Sequence, residues 1–266
     1  MTTHLKPYPL KIDGLNSPLR LWLHDAQDQH VSRDIATNGI WEAYETRLVM
    51  ERLNRGDCFV DVGANIGYYT AIAADCLGDT GSVIAFEPDP ENVKLLKKNM
   101  LENGLERVEL VAAGLSDRNR HAALFRSKTN FGDHQIYDNG DGRDSCPIEL
   151  LNGSEYLNGK IGAINVLKID TQGAESQVIA GLLPVLKKSG KQLSIIIEFW
   201  PFGLRKSGSN AHALLDMLAE LDLPFKIIDH VGHELLDCTE LQLREWVDMV
   251  EADAEDQGFM NIMVGN

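Results

Sequence analysis

The stretch Cys58-Phe59-Val60-Asp61-Val62-Gly63-Ala64-Asn65-Ile66-Gly67, followed by Tyr68-Tyr69-Thr70-Ala71-Ile72-Ala73-Ala74, decides the fold. An apolar run closes on Asp61, a turn carries glycines at 63 and 67, and a helical pattern starts at once. That is the strand, turn and helix by which a parallel sheet delivers its first loop to a nucleotide-like ligand. Gly63 and Gly67 lack a Cβ, so the backbone there is free to approach a ligand and to take positive φ. Free N–H groups at the helix start offer partners to an anionic group. The spacing is not the Gly-x-Gly-x-x-Gly of dinucleotide sites, so the loop needs support from its surroundings.

Val83-Ile84-Ala85-Phe86-Glu87-Pro88 supplies that support. It reads as a second buried strand ending in a carboxylate about 20 residues after the loop, where a Rossmann-type unit grips ribose hydroxyls. Glu87 is therefore the expected diol acceptor. Pro88-Asp89-Pro90 opens a helix through Asn103, with Val93, Leu96 and Met100 inward and Lys94, Lys97 and Lys98 on a solvated face. A third strand spans 108–113. At its end Gly114-Leu115-Ser116-Asp117 reaches the same rim, where Asp117 either bonds an adenine amine or simply opens a turn.

Two further strands end in acids. Residues 163–170 close on Asp170, before Thr171-Gln172-Gly173-Ala174-Glu175 and a helix to Gly190, and residues 193–200 carry Glu198. One rim thus collects Asp61, Glu87, Asp170 and Glu198, beside the crevice where the strand order should reverse. Between the third and fourth strands, residues 126–147 have little apolar periodicity and many turn formers, which suggests a loop over the pocket. His134 in that loop is a candidate proton acceptor near neutral pH, or a hydrated loop histidine.

The 266 residues fit one large α/β domain, and 44% apolar residues are ample for a core. A net charge of −15 argues against binding phosphate polymers, so nucleic acid is an unexpected partner. Cysteines 58, 76, 146 and 238 form no Cys-x-x-Cys pair and read as free thiols in a reducing compartment. The amino terminus lacks the layout of an export signal and no run reaches the ~20 apolar residues of a membrane span. The expectation is a cytoplasmic protein without a membrane partner.

Residues 1–38 suggest a short N-terminal extension with one or two strands, and 39–266 the main domain, opening with a helix around Trp41, Tyr44, Leu48, Val49 and Leu53. After Gly190 come a helix at 211–221, a strand at 225–228, an acidic amphipathic helix from 239 to 257 and a closing strand at 259–264. His230 and His233 lie three apart on a turn, but no cysteine or second pair makes them a zinc site, and no metal site is expected.

Taken together, Val-Asp-Val-Gly-Ala-Asn-Ile-Gly, Phe-Glu-Pro, Leu-Lys-Ile-Asp-Thr-Gln-Gly-Ala-Glu-Ser-Gln-Val-Ile-Ala-Gly and Ile-Glu-Phe-Trp-Pro-Phe-Gly-Leu-Arg resemble the FkbM family of S-adenosylmethionine-dependent methyltransferases. The resemblance covers residues 39 to 230, and the segment from Lys168 to Gly181 is its most particular part. It implies the class I methyltransferase fold, a Rossmann-like, doubly wound sheet of seven strands with the last antiparallel. It implies S-adenosyl-L-methionine as cofactor, with Asp61, Gly63, Asn65 and Gly67 as the methionine-moiety loop and Glu87 as the ribose ligand. Glu42 is placed to reach the cofactor's ammonium group, or else is a solvated glutamate on an amphipathic helix.

The implied activity is methylation of a hydroxyl on a small molecule, a sugar or natural product. Asp170 is the first candidate for base or orienting group and His134 the second, with Lys168 and Glu198 as supporting polar groups. Gln172 and Glu175 stand where substrate hydroxyls could be met. The rivals are a non-catalytic cofactor-binding protein and a nicotinamide-dependent oxidoreductase. A nucleic-acid N-methyltransferase would need an Asn/Asp-Pro-Pro-aromatic loop where Asp170-Thr171-Gln172-Gly173 stands. Oligomeric state is left open.

Overall fold

The computed structural model describes residues 6–266. The first five residues of the amino-terminal run, and of the extension, lie outside the described residues. In chain order the elements begin with β1 (Tyr8–Pro9), β2 (Arg20–Leu21), α1 (Val31–Asn38), α2 (Ala43–Arg52), β3 (Cys58–Val62) and α3 (Tyr68–Leu77). There follow β4 (Ser82–Phe86), α4 (Pro90–Glu102), β5 (Glu109–Val111), β6 (Gly114–Ser116), β7 (Arg120–Arg126), β8 (Asp144–Asn152) and α5 (Gly153–Leu157). The chain closes with β9 (Val166–Ile169), α6 (Glu175–Ser189), β10 (Ser194–Phe199), α7 (Pro201–Lys206), α8 (Ala211–Ala219), β11 (Phe225–Asp229), β12 (Glu234–Cys238), α9 (Glu240–Glu251) and β13 (Met260–Gly265).

Strand β3 is buried along its whole length and lies inside the main sheet, whose order is β12-β11-β13-β10-β9-β3-β4-β5. Its alternation assigns the two faces. Phe59 joins the apolar layer made with α1 to α4, while Val60 and Val62 join the layer made with α6, α8 and α9. From β3 the chain steps outward through β4 and β5, then returns to place β9 and β10 on the other side. The order therefore reverses between β3 and β9, and a crevice opens at their carboxyl ends.

Local chemistry holds the flanking helices. Asp89 caps α4 by accepting from the N–H groups of Glu91 and Asn92, with Pro90 at the first turn. Thr239 and Gln242 form a capping box on α9. Strand β13 runs antiparallel to both β10 and β11, so the doubly wound sheet with a reversed last strand is present.

Three sequence expectations are corrected. The main sheet has eight strands rather than seven, because the turn carrying His230 and His233 folds β12 back as a hairpin on β11. The stretch 126–147 is not all loop: β8 starts at Asp144 and pairs with β7, and β6 joins them in a three-stranded second sheet. The acidic helix ends at Glu251, not 257. In the described part of the extension, Leu19, Leu21, Val31 and Ile35 pack into the same core as Phe59 and Ile72. No described helix is long and apolar enough to cross a membrane.

Candidate functional site

The reversal of strand order leaves a cavity of about 830 Å³ at the carboxyl ends of β3, β4, β9 and β10, and Asp61, Glu87, Asp170 and Glu198 all line it. These four acids are far apart in sequence and meet only because each ends, or nearly ends, a neighbouring strand.

The loop after β3 forms one end. Gly63 has φ +85°, and a Cβ there would lie 1.9 Å from the Asp170 carbonyl oxygen. The glycine thus lets two adjacent strand ends touch. Asn65 also holds a left-handed conformation. Its backbone N–H donates to Glu87 Oε2 at 2.7 Å, and its side-chain Oδ1 is buried with no partner. Glu87 Oε1 accepts from the Asp89 N–H at 2.8 Å. Burial pushes the Glu87 carboxyl up to about 7 despite those N–H groups. Asp61 accepts from Thr70 Oγ1 at 2.5 Å, and burial pushes it up to about 6. Gly67 does not line the cavity; it starts α3 with φ +86°, and a Cβ there would strike Leu96.

The other end centres on Asp170, Gln172 and Glu198. Gln172 takes positive φ, and its Nε2 donates to Asp170 Oδ1 at 2.8 Å and to Glu198 Oε2 at 3.0 Å. Burial first, then Asp170 and Glu175, push the Glu198 carboxyl well up, which favours its neutral form. Two carboxyls in one bridge thus sit in different environments. Glu175 turns inward instead, accepting from the N–H groups of Thr171 and Gly173. It is wholly buried and braces its own loop.

Beneath Asp170 lies a buried ion pair that sequence reading did not anticipate. Lys168 Nζ is 3.0 Å from Glu45 Oε1 and 3.7 Å from Asp170 Oδ2. Both Lys168 and Glu45 are removed from solvent. Glu45 Oε2 accepts from Asn261 Nδ2 at 2.6 Å and lies 3.5 Å from His230 Nε2. Burial opposes charge on both partners, but the pair's mutual attraction outweighs it: the lysine is pushed up and the glutamate held down. Glu45 carried no signal beyond a glutamate among apolar positions on α2. His230 faces this pair, whereas His233 stacks on Tyr44, so the two histidines do not converge. Among the described residues no group of three or more His, Cys, Asp or Glu is disposed to hold a metal.

Glu42 lines the cavity and accepts from Tyr69 Oη at 2.8 Å; burial, then Glu45, push its carboxyl up to about 7. His134 also lines it, but its Nδ1 accepts the Ser127 N–H at 3.1 Å and its Nε2 is 4.0 Å from Asp89. Burial pushes its imidazole down to about 4 against the pull of Asp89. Asp117 is not brought to the cavity. It is exposed where β6 leaves for the second sheet, beside Ser116 and Asn152.

The roof is the 127–143 loop, which contributes Phe131, Ile136, Tyr137 and Arg143. Arg143 ties it by donating to Asp133 and Asp141, each at 2.7 Å. The amino-terminal segment straps it down, with the Gln29 N–H donating to the Thr129 carbonyl at 2.8 Å. Trp41, Trp200, Phe202 and Phe259 add an aromatic wall. A cavity with apolar walls and a few convergent polar groups is the usual form of a small-molecule site.

Residues 61–224, more than half of the chain, match the family described as the methyltransferase FkbM domain. The hexuronic acid methyltransferase AglP of Haloferax volcanii is 29% identical over 143 residues, covering 53% of this chain and 56% of that protein. A probable cobalt-precorrin-6B C(15)-methyltransferase (decarboxylating) of Sulfolobus acidocaldarius is 38% identical over 64 residues, 24% of this chain and 33% of that protein. The chain thus spans about half, or less, of the curated relatives it matches. Among solved structures, the FkbM methyltransferase of Methylobacillus flagellatus shares 13% identity over 80% of this chain and 44% of that one, with a TM-score of 0.43. The O-methyltransferase of Bacillus cereus, solved with SAH, shares 13% identity over 83% and 78%, with a TM-score of 0.41.

Proposed function

The chain belongs to the FkbM family of S-adenosylmethionine-dependent methyltransferases, and from that premise we propose that it methylates a hydroxyl of a small, sugar-like molecule by in-line transfer. The observation that carries the reading is the convergence of Asp61, Glu87, Asp170 and Glu198 on one cavity. The relative named for a hexuronic acid supports a sugar-type acceptor.

The residues at the β3 end fit the donor. Glu87 faces the cavity with lone pairs left for a ribose diol, since a carboxylate accepts at about four sites. The unpartnered Asn65 Oδ1 and the Glu42 carboxyl are acceptors suited to an ammonium group. Gly63 lets the Asp170 strand end close against the loop beside them. When bound, S-adenosylmethionine supplies a methyl group activated by its sulfonium.

What remains for the protein is alignment, exclusion of water and removal of one proton. Asp170 would accept the proton of the acceptor hydroxyl, its carboxylate held in place by Gln172 and faced by Lys168. Glu198, in its neutral form, would donate to a neighbouring acceptor oxygen. Such a division between two carboxyls follows from their unequal surroundings. His134, its Nδ1 already taken, would support the roof rather than move protons. The four free cysteines fit work in the reducing cytoplasm.

The test has two steps. Calorimetry should show one site for S-adenosylhomocysteine, and transfer of labelled methyl from S-adenosylmethionine should reach a hydroxyl compound. Binding without transfer to any acceptor would leave a cofactor-binding protein and remove the enzyme.

A further inference from the structure

The Lys168 ammonium has two acids within reach and divides itself unequally between them. Its Nζ lies 3.0 Å from Glu45 Oε1, a hydrogen-bonding distance, and 3.7 Å from Asp170 Oδ2, which is beyond one. The settings of the two acids differ as well. Glu45 is wholly buried, whereas the Asp170 side chain is 36% exposed and lines the cavity. Glu45 is also held from several elements. Asn261 of β13 donates to its Oε2 at 2.6 Å, Tyr69 of α3 donates to its Oε1 at 3.5 Å, and His230, just after β11, lies 3.5 Å from its Oε2.

That inequality matters for a carboxylate that gains and loses a proton in every turnover. Were Asp170 the sole counter-ion of Lys168, protonating it would strand a buried ammonium without a partner. The ammonium would also hold the carboxylate in its charged form, which makes a weak base. With Glu45 in place, Lys168 keeps a partner in both states of Asp170. The other acids around the lysine are Glu42 beside α2, Asp61 opposite it in register on β3, and Glu198 on β10. Burial makes each of these three resist ionisation, so none is a permanent counter-ion in the way Glu45 is.

We propose that Glu45 is a positioning residue for methyl transfer: as the standing counter-ion of Lys168 it leaves the Asp170 carboxylate free to take up and release a proton, and His230 loosens that hold from the outer end of the cluster. The proposal rests on the reading of Asp170 as proton acceptor and deepens it. In that step the hydroxyl proton passes to Asp170 while the hydroxyl oxygen bonds the methyl carbon. The carbon–sulfur bond breaks with its electron pair left on sulfur, and Asp170, open to the cavity, returns the proton to solvent. Glu45 touches none of the reacting atoms. His230, its side chain 37% exposed, is pushed toward its charged form first by its bond to Glu45, with Asp229 beside it. A charged His230 competes with Lys168 for Glu45 and so turns the ammonium toward Asp170.

The experiment follows the carboxyl carbon of Asp170 by NMR in the full chain, labelled in its aspartate carboxyls and saturated with S-adenosylhomocysteine; Asp170→Asn identifies the signal. At the acidic pH where carboxyls titrate, Lys168 is charged in every variant. Glu45→Gln should therefore lower the titration midpoint of that signal by about one pH unit, a tenfold weaker hold on the proton. Glu45→Asp, which keeps the charge, should return it most of the way. His230→Gln, at the exposed end and harmless to the core, should raise it by roughly 0.3 pH unit. A Glu45 that serves packing alone would lower the melting temperature in Glu45→Gln and leave the midpoint where it was. An unchanged midpoint in Glu45→Gln or His230→Gln overturns the proposal, and so does a midpoint in Glu45→Asp as low as in Glu45→Gln. Each of these results leaves the methyltransferase reading in place, whereas failure of the unaltered protein to bind S-adenosylhomocysteine removes both.

Discussion

Glu87, Asp170 and Gly63 show how much one residue decides. Glu87 keeps two acceptor oxygens at the end of β4 although both already accept backbone N–H groups. Deleting it should weaken S-adenosylhomocysteine binding about ten- to a hundredfold, the worth of a charged acceptor with hydroxyl donors; calorimetry on Glu87→Ala checks this. For Asp170→Asn we expect intact cofactor binding with turnover down by about 10²–10⁴, the usual contribution of a positioned base. Full turnover would move the proton acceptor elsewhere. Gly63→Ala should destabilise the protein by more than about 2 kcal/mol in denaturant melts, because the new methyl would meet the Asp170 carbonyl and the positive φ is already strained for a side chain. The places of these three residues at the cavity were legible in the sequence, since each closes or follows a strand. Asp117 was misplaced for the same reason: the chain at 114–116 reads as a strand end but turns into a different sheet.

Among the elements, α2 has the sequence pattern of an amphipathic helix, which gives no sign that its Glu45 is buried. A lone glutamate in a helical pattern reads as solvated, and only packing against β9 and β13 brings it to Lys168 and Asn261. Breaking such a buried pair on one side is expected to cost about 3–5 kcal/mol, because the other charge is left without a partner. Glu45→Gln should therefore melt markedly lower, and Glu45→Leu combined with Lys168→Met should recover part of that loss. The 127–143 loop was readable as a cover from its composition, but not its fastening. Arg143 is bound to acids two and ten residues before it, a pairing that loop sequence does not announce.

For the molecule as a whole, the cavity concentrates carboxyls that resist ionisation. Glu42 and Glu87 are each pushed up to about 7 and Asp61 to about 6, burial being the main cause. Folded values above the unfolded ones mean that their contribution to the stability of the ligand-free protein is fully present below about pH 4 and lost as pH rises through 6 to 7. A ligand bringing an ammonium group and ribose hydroxyls favours the charged forms, so binding should release protons. S-adenosylhomocysteine affinity should rise between about pH 5.5 and pH 7.5 and then level off; a flat profile would show that these groups do not face the ligand. Protection against melting by S-adenosylhomocysteine but not by NAD would separate the donor from a nicotinamide cofactor. The sequence by itself determined the strand-turn-helix unit at 58–77, the order of acid-tipped strands and the family, because apolar period, glycine placement and strand-end residues are local properties of the chain. Only the tertiary structure decided that Glu45 and Lys168 share a charge pair, that an eighth strand closes one edge, that β8 lies inside an apparent loop, and that the Tyr137 ring packs against the Gly173 turn. Each depends on which segments meet across the sheet, and contact between residues distant in the chain leaves no period in the sequence from which to read it.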